Sequence, residues 1–273
     1  MNISILGCGW VGFPLAQQLI SEGHAVKGST TTEDKIKTLS QADIETYLIT
    51  FNPDLNCEDC EGFWDADLLI VDIPPGRGQD GVEDYFPKVI KNVIEQIKKH
   101  EIPKVIFVSS TSVYPNTGDI VHEKDAGPAA RNSGKALLHS EHMFFGEDEF
   151  DTTVLRLAGL YGYDRHPVYY LSGRKNLSHG KAPVNLIHRD DVIQITLRII
   201  ENDVMGEVFN VCSDGHPPRK ALYTAAAEHF GVEPPTFAEN EDKDKEYKIV
   251  SNEKLKKYLD YQFQYPNPMD HTP

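Results

Sequence analysis

Short apolar runs alternate with amphipathic stretches from the first residues of the chain onward. The apolar runs have the length of buried strands, and the amphipathic stretches carry apolar residues at helical spacing. A chain of this kind builds a parallel sheet whose right-handed crossovers place helices on both faces. We therefore predict an α/β fold, a doubly wound parallel sheet (Rossmann fold). The predicted strands cover 2–6, 24–29, 44–50, 67–73, 104–110, 152–158 and 207–211, and the predicted helices cover 11–21, 33–39, 84–100, 129–144, 190–201, 219–230 and 252–261.

The alternation loosens after Gly159, where the stretch 161–183 is rich in loop-forming residues. Further on, the run ENEDKDKE at 239–246 mixes charges and predicts a solvated loop. We predict one doubly wound domain and a small, discontinuous C-terminal region that holds substrate or acts as a lid. The domain is formed by 1–158 and 184–212, and the small region by 159–183 and 213–273.

The chain is acidic, with a formal net charge of −15 over 273 residues. Nucleic acids and anionic membrane surfaces attract basic proteins, so we expect neither as a partner. No apolar run approaches the about 18 residues of a membrane span. The first residues, MNISILGCGW, show neither the basic flank nor the cleavage-like site of a signal peptide. We therefore expect a cytoplasmic protein.

The cysteines offer little support for metal or redox chemistry. Cys57 and Cys60 form a C-x-x-C, but the other two, Cys8 and Cys212, do not make the second pair that a zinc site needs. We therefore expect a reduced loop at 57–60. The eleven histidines are scattered, and no metal site is predicted.

Three glycines follow the first predicted strand and open the first predicted helix, in the order G-C-G-W-V-G. In a G-x-G-x-x-G loop at this place, the first glycine permits a tight turn and the second lets the backbone approach a pyrophosphate. The third lets helix and strand pack closely, and the helix N-terminus faces the anion. The loop predicts dinucleotide binding, and the alternative is a glycine turn without a ligand. The predicted cofactor contacts are Gly7, Gly9, Trp10, Val11 and Gly12.

The end of the second strand bears on the choice between NAD and NADP. NAD-selective sites place an acid there to hold the ribose 2′-hydroxyl. Here four hydroxyl residues occupy the strand end, namely Ser29, Thr30, Thr31 and Thr32. Glu33 and Asp34 come later, in the first turn of the next helix. Hydroxyl groups with Lys35 nearby would accept a 2′-phosphate. We predict Thr30 and Thr31 as cofactor contacts, and NADP in preference to NAD.

Several segments together resemble the extended and atypical short-chain dehydrogenase/reductases, the NAD-dependent epimerase/dehydratase relatives. The likeness follows one order along most of the chain. The G-x-G-x-x-G spacing of the glycine loop differs from the G-x-x-G-x-x-G that is more frequent in the group, and it resembles the atypical branch. The segments are FVSSTSVY at 107–114, VHEKDAGP at 121–128, AARNSGKALLHSE at 129–141, RLAGLYG at 156–162, VNLIHRDDV at 184–192 and GEVFNVCSDGHPPRKALY at 206–223.

The resemblance implies roles for particular residues. In that family a helix carries Tyr-x-x-x-Lys: the lysine binds the nicotinamide ribose and the tyrosine exchanges a proton with the substrate, while a serine hydrogen-bonds the same oxygen. By position, Ser110 matches the serine and Lys135 the lysine, whereas Arg131 stands at the tyrosine position. The resemblance also places Pro74 and Leu157 among the cofactor contacts.

An arginine cannot replace the tyrosine as a proton donor or acceptor, because a guanidinium stays protonated at any working pH. Three interpretations remain open. Another group transfers the proton, and Tyr114, Tyr161 and Tyr163 lie in segments expected near strand ends. Alternatively, Arg131 binds an anionic substrate, as its planar fork of donors suits, and Ser110 with ordered water handles the proton. In the third, the protein binds NAD(P) without catalysis.

We therefore predict an NAD(P)-dependent oxidoreductase-like protein of the epimerase/dehydratase type that acts on a hydroxyl or carbonyl group of a small molecule, such as a sugar or nucleotide sugar. The alternative is a non-catalytic NAD(P)-binding sensor or scaffold. The expected partner is a small-molecule substrate, anionic if Arg131 binds it. The apolar face of the helix at 84–100 either meets the sheet or pairs with a second copy, so a monomer and a homodimer both fit the sequence.

Overall fold

A computed structural model describes residues 1–76, 81–238 and 246–270 of the chain. Within these ranges the strands are β1 (Asn2–Leu6), β2 (Ala25–Thr30), β3 (Glu45–Leu48), β4 (Thr50–Phe51), β5 (Leu55–Asn56), β6 (Leu68–Val71), β7 (Lys104–Ser110), β8 (Ile120–Val121), β9 (Asp151–Leu157), β10 (Gly159–Tyr161), β11 (Leu186–His188), β12 (Val208–Val211) and β13 (Ile249–Val250). The helices are α1 (Gly12–Ser21), α2 (Glu33–Ser40), α3 (Glu61–Trp64), α4 (Val82–Lys99), α5 (Asn132–Phe145), α6 (Arg189–Glu201), α7 (Arg219–Phe230) and α8 (Glu253–Leu259).

Seven of the described strands form one sheet in the order β12-β9-β7-β6-β1-β2-β3. The strand β1 pairs in parallel with both β2 and β6, and the pairs β2–β3 and β6–β7 are parallel as well. The chain thus starts inside the sheet, runs to one edge through β2 and β3, and returns to the other side of β1. In sheets of this kind ligands bind where the strand order reverses, which here is at the carboxyl ends of β1 and β6. The predicted doubly wound α/β fold is confirmed.

The apolar residues of the central elements are buried. No side chain of Leu68–Val71 in β6 is more than 2% exposed, as expected for a strand covered on both faces. In α4 the apolar positions are buried, and the outer positions carry charges such as Lys88 and Lys91. The apolar face of α4 is therefore covered within its own chain.

The chain forms two compact units. The first consists of 1–113, 129–156 and 196–208, and the second of 114–128, 157–195 and 209–273. The second unit has a core of its own, formed by Tyr161, Val168, Val184, Leu186, Leu222, Tyr223, Ala226 and Ala227. These limits assign 114–128 and 184–195 to the second unit, whereas the sequence pattern grouped them with the first. The predicted domain boundaries stay a prediction.

Local differences from the predicted elements have simple causes. The helix predicted from 129 begins at Asn132, because Arg131 has an extended backbone with φ −108° and ψ 145°. The strand predicted over 44–50 ends at Leu48, since Thr50–Phe51 pairs antiparallel with Leu55–Asn56. Very short elements such as β8, β13 and α3 were not predicted, because two to four residues carry no recognisable period.

The reduced loop expected at 57–60 is a further difference. Cys57 and Cys60 are joined by a disulfide, because the turn brings their Cα atoms to 6.0 Å, a separation that a disulfide spans. The charged run predicted as a loop lies outside the described residues from 239 to 245. Among the helices within the described ranges, none is both long enough and apolar enough to cross a membrane.

Candidate functional site

The glycine loop between β1 and α1 is built as the sequence predicts. Gly7 has φ +109°, and a Cβ added there would lie 2.4 Å from the Asp72 carbonyl oxygen. A Cβ on Gly12 would lie 2.3 Å from the Gly7 carbonyl oxygen. Around Gly9, by contrast, no atom lies within 4 Å of an added Cβ. The first and third glycines are thus required by close contacts, and the second borders open space.

The N-terminus of α1 is suited to an anion. The first N–H groups of a helix have no partner within it, and together with the helix dipole they attract negative charge. Val11, at the N-cap, contributes no side-chain hydrogen bond, and the first turn carries no acid. Trp10 is half-buried beside it, and Val11 is buried. This end of α1 therefore has the chemistry to hold a diphosphate.

Ser29 in β2 fixes the glycine loop to the sheet. The Gly7 amide donates to Ser29 Oγ at 2.9 Å, and the Cys8 amide donates to the Ser29 carbonyl oxygen at 2.9 Å. Burial, together with the charge of Asp72, raises the pKa of the Cys8 thiol to about 12. That thiol therefore stays protonated, and the loop offers no thiolate chemistry. The sequence had placed Ser29 only among the hydroxyl groups of the strand end.

The end of β2 presents hydroxyl groups and no carboxylate. Thr30 is buried, and its Oγ1 accepts from the Thr32 amide at 3.2 Å. Thr31 and Thr32 are exposed. The two acids come next, in the first turn of α2, where they stabilise the helix N-terminus. The structure thus places an exposed hydroxyl, at Thr31, directly after the strand.

Ser110 lies at the carboxyl end of β7, in the same unit as the glycine loop. Its side chain is half-buried, and its Oγ accepts from the Ser112 amide at 3.1 Å. A hydroxyl that accepts this bond keeps its own hydrogen for another partner. Ser110 is therefore placed to donate to an oxygen at the strand end.

Arg131 lies outside α5, although the predicted helix includes it, so Arg131 and Lys135 do not form a pair one turn apart within the helix. Arg131 is the N-cap of α5, and only its carbonyl oxygen takes part in the helix, accepting from the Lys135 amide at 3.1 Å. Lys135 is exposed, and its Nζ donates to Asn132 Oδ1 at 3.3 Å. Both cationic side chains are exposed to solvent.

The buried face of α5 is formed by other residues, namely Gly134, Ala136, Leu137, Ser140, Glu141 and Phe144. A Cβ added to Gly134 would lie 2.3 Å from the Ser112 carbonyl oxygen, so the first turn of α5 packs against the segment that follows β7. The exposed face carries Lys135, His139 and His142. Lys135 thus points away from the face that meets the sheet.

A buried ion pair, which was not predicted from the sequence, holds α5 in place. Arg156 in β9 and Glu141 in α5 are 5% and 1% exposed, with Arg156 Nη2 2.6 Å from Glu141 Oε2. Ser109, next to Ser110 in β7, donates to the same carboxylate at 2.5 Å. The pairing was not predictable from spacing, because its members lie on three separate elements.

The three tyrosines proposed for proton transfer lie in the second unit. The Tyr114 side chain is 1% exposed, and its hydroxyl donates to Asn210 Oδ1 at 2.6 Å. Burial raises the pKa of Tyr161. Tyr163 is exposed, and its hydrogen bond to Asp190, 2.8 Å long, raises its pKa. Raised pKa values make Tyr161 and Tyr163 weaker acids, the opposite of what proton transfer near neutral pH requires.

The remaining predicted contacts lie on separate units. Pro74 follows β6 in the first unit and is exposed, whereas Leu157 ends β9 in the second unit and is 5% exposed. Across the described parts of the chain, no group of three or more His, Cys, Asp or Glu side chains is arranged to hold a metal ion.

Residues 7–203 match the profile of a protein family described as NAD(P)H-binding, and the match begins at the first glycine of the loop. The chain belongs to this NAD(P)H-binding family. The membership confirms the predicted class of cofactor, a nicotinamide dinucleotide. The resemblance to the short-chain dehydrogenase/reductase group is confirmed at the level of the fold, since a short-chain dehydrogenase/reductase superfamily protein from Agrobacterium tumefaciens superposes with a TM-score of 0.79 at 15% identity, covering 100% of this chain and 94% of that chain.

Relatives of this NAD(P)H-binding protein cover almost its whole length. Protein YeeZ of Escherichia coli (strain K12) is 34% identical over 270 residues, which covers 98% of this chain and 97% of YeeZ. A functionally unknown conserved protein from Silicibacter pomeroyi DSS superposes with a TM-score of 0.81 at 22% identity, covering 99% of this chain and 96% of that chain.

A UDP-glucuronic acid 4-epimerase from Bacillus cereus, in complex with UDP-glucuronic acid and NAD, has a TM-score of 0.80 at 18% identity and covers 100% of this chain and 96% of its own. At such identities the solved structures show a shared fold. The roles of Ser110, Arg131, Lys135 and Tyr114 in the NAD(P)H-binding protein stay predictions.

Proposed function

We propose that this chain binds NADP(H) on its glycine loop and acts as a dinucleotide sensor or scaffold without an acid–base couple on α5. The observation that carries the proposal is the orientation of α5. Lys135 is on the exposed face, and Arg131 precedes the first turn. An arginine remains protonated, so it provides no base even if it reaches a ligand.

The geometry of the glycine loop supports the binding part of the proposal. Gly7 and Gly12 are required by contacts under 2.5 Å, and Gly9 leaves open space beside an uncapped helix N-terminus that carries no acid. A diphosphate placed there would meet backbone donors and the positive end of the dipole.

NADP is the proposed form because no carboxylate stands at the end of β2 itself, and the acids Glu33 and Asp34 come only in the first turn of α2. An acid there would bind the ribose hydroxyls of NAD and repel a 2′-phosphate. Thr31 and Thr32 are exposed and offer hydroxyl donors instead. A thermal-shift comparison at equal concentrations tests this choice, and greater stabilisation by NAD than by NADP would refute it.

The test of the proposed function has two steps. Calorimetry first measures NADPH binding by the wild-type chain and by Gly9→Glu, whose carboxylate would stand in the open space and repel the diphosphate. The wild-type chain is then incubated with NADPH and a broad panel of sugar nucleotides and carbonyl compounds. We expect binding that Gly9→Glu abolishes, and no substrate-dependent loss of nicotinamide absorbance. Turnover of any panel member would contradict the sensor.

The second candidate is an oxidoreductase of the epimerase/dehydratase type that acts on a hydroxyl or carbonyl group. The observation that favours it is Ser110, whose hydroxyl hydrogen is available at the end of β7. In this case Arg131 would bind an anionic substrate, and Ser110 with ordered water would handle the proton. Turnover that Ser110→Ala abolishes, with a KM for anionic substrates that Arg131→Gln raises, would establish this function.

A further inference from the structure

We infer that α5 presents Ser133 and Leu137, and not Arg131 and Lys135, to the carboxyl end of β7. The ligand surface of this helix is then a neutral hydroxyl beside an apolar side chain. The inference deepens the proposed function and rests on it, because the ligand concerned is the nicotinamide riboside half of NADP(H).

The rotation of α5 about its own axis is fixed by Glu141. The carboxylate of Glu141 accepts from Ser109 in β7 and from both Nε and Nη2 of Arg156 in β9. All three side chains are buried, so the bonds are shielded from water and hold the helix in one orientation. The direction of Glu141 therefore marks the face of α5 that meets these two strands.

Helical geometry then gives the direction of the other residues. A helix turns by about 100° per residue, so Leu137 and Ser133 lie about 40° and about 80° from Glu141 on one side. Lys135 lies about 120° away on the other side. Burial agrees with this geometry. Leu137 is 4% exposed and Ser133 is half-buried, whereas Lys135 is exposed.

Two fully buried residues further along α5 bracket the direction of Ser133. Phe144 and Ser140 lie about 60° and about 100° from Glu141 on that same side, and both are 0% exposed. Ser133 is less buried than they are because it stands in the first turn, at the end of the helix. A side chain at this place faces the sheet, at the level where the strands end.

The contact at Gly134 locates this first turn. The Gly134 backbone is so close to the Ser112 carbonyl that a Cβ would lie 2.3 Å from it. Ser133 directly precedes Gly134, and Ser112 follows Ser110 by two residues. The first turn of α5 therefore brings the hydroxyl of Ser133 close to the end of β7, where Ser110 lies.

The chemistry of this surface indicates which part of a dinucleotide it fits. A serine hydroxyl both donates and accepts hydrogen bonds and carries no charge, which suits ribose hydroxyls and a carboxamide. Leu137 adds an apolar surface for a ring. Neither residue transfers a proton near neutral pH, so the surface binds without supplying acid–base chemistry.

Cysteine labelling tests the direction of each residue, and the chain has a low background for it. Cys8 and Cys212 are buried, and Cys57 is paired with Cys60. The variants Ser133→Cys and Lys135→Cys are labelled with a small maleimide, without reductant, in the absence and presence of saturating NADPH. The matched control is His142→Cys, which lies on the exposed face near the end of α5.

We expect Lys135→Cys to react like His142→Cys, with or without NADPH. Ser133→Cys should react about tenfold more slowly, because reactivity follows exposure, and NADPH should slow it further. Equal rates for Ser133→Cys and His142→Cys would overturn the inferred orientation. Absence of NADPH protection at Ser133→Cys, or protection of Lys135→Cys instead, would overturn the ligand contact.

An affinity measurement complements the labelling. Ser133→Ala should weaken NADPH binding about three- to tenfold, as the loss of one hydrogen bond does, whereas His139→Ala on the exposed face should leave it unchanged. Unchanged affinity of Ser133→Ala would count against the ligand contact. If calorimetry detects no NADPH binding by the wild-type chain, the proposed function fails, while the labelling rates without nucleotide still decide which face of α5 is covered.

Discussion

Glu141 and Arg156 form a multiply hydrogen-bonded ion pair inside the first unit. Arg156 Nη2 lies 2.6 Å from Glu141 Oε2, and Arg156 Nε lies 3.1 Å from both carboxylate oxygens. Ser109 donates to the same carboxylate. The pair joins β9 to α5 and, through Ser109, to β7. Three elements of this unit, β7, β9 and α5, are thus joined at one buried carboxylate.

Removing one partner of this ion pair should destabilise the protein more than removing both partners. Glu141→Leu removes the carboxylate that pairs with Arg156 and leaves the guanidinium charge buried, so we expect the free energy of unfolding to fall by about 3–5 kcal/mol. In the double variant Glu141→Leu, Arg156→Leu neither charge remains, and most of the loss should be recovered. Urea denaturation of the two single variants and the double variant measures this. A double variant less stable than both single variants would contradict the prediction.

The second and third glycines of the loop should respond differently to a methyl group. Gly12→Ala would place a Cβ 2.3 Å from the Gly7 carbonyl oxygen, so we expect a loss of stability of about 1–3 kcal/mol. Gly9→Ala meets open space, and its stability should change by less than about 0.5 kcal/mol. Its NADPH affinity should nevertheless fall about tenfold, because the methyl group separates the backbone from the diphosphate. Thermal unfolding and calorimetry distinguish the two effects, and the reverse pattern would disprove the roles given to these glycines.

The residue after β2 should set the preference between the two cofactors. Thr31→Asp places a carboxylate at an exposed position where a 2′-phosphate is proposed to bind. We expect NADPH affinity to fall at least about tenfold, while NADH affinity holds or rises. Thr31→Ala is the control, since it removes the hydroxyl without adding charge. Equal effects of Thr31→Asp on both nucleotides would show that the 2′ position lies elsewhere.

His166 should make the stability of the protein depend on pH. Burial, with a smaller effect of His229, lowers the pKa of His166 from 6.5 to about 4. Its Nδ1 accepts from the Val168 amide at 3.2 Å, a bond that the neutral ring makes. Between about pH 6.5 and 4 the unfolded chain binds a proton that the folded chain does not. The stability due to neutral His166 is therefore complete above pH 6.5 and decreases as the pH falls, by up to about 3 kcal/mol.

The variant His166→Asn serves as the comparison for this prediction. Its amide oxygen still offers an acceptor to Val168, but it does not titrate. Urea denaturation of both proteins from pH 7 to pH 4 should show a steeper decline for the wild-type chain. Parallel profiles would mean that other groups cause the decline.

The fold was predictable because its signals are local. Alternation of apolar and amphipathic stretches identified all seven strands of the main sheet, although the strand at 44–50 proved to be two. The roles of Gly7 and Gly12 were predictable for a similar reason. Each glycine is required by a backbone contact that any loop of this kind makes between a strand and a helix.

The candidate site was less predictable because it depends on contacts between distant elements. The pattern around Arg131 is helical, yet the extended backbone of Arg131 starts α5 three residues later than predicted. The face that α5 buries is set by Glu141, whose partners lie 32 and 15 residues away in the sequence. The match to Tyr-x-x-x-Lys therefore pointed to Lys135. The direction in which its side chain leaves α5, however, depends on the contacts of α5 with β7 and β9.

At position 131 the main chain and the side chain have separate roles. Arg131 supports the helix through its carbonyl oxygen alone, and every amino acid has that atom. Its side chain makes no hydrogen bond that caps α5, so exchanging it should leave the scaffold intact. A change in ligand affinity on exchange of Arg131 would therefore report a contact between its guanidinium and the ligand, and not a disturbed helix.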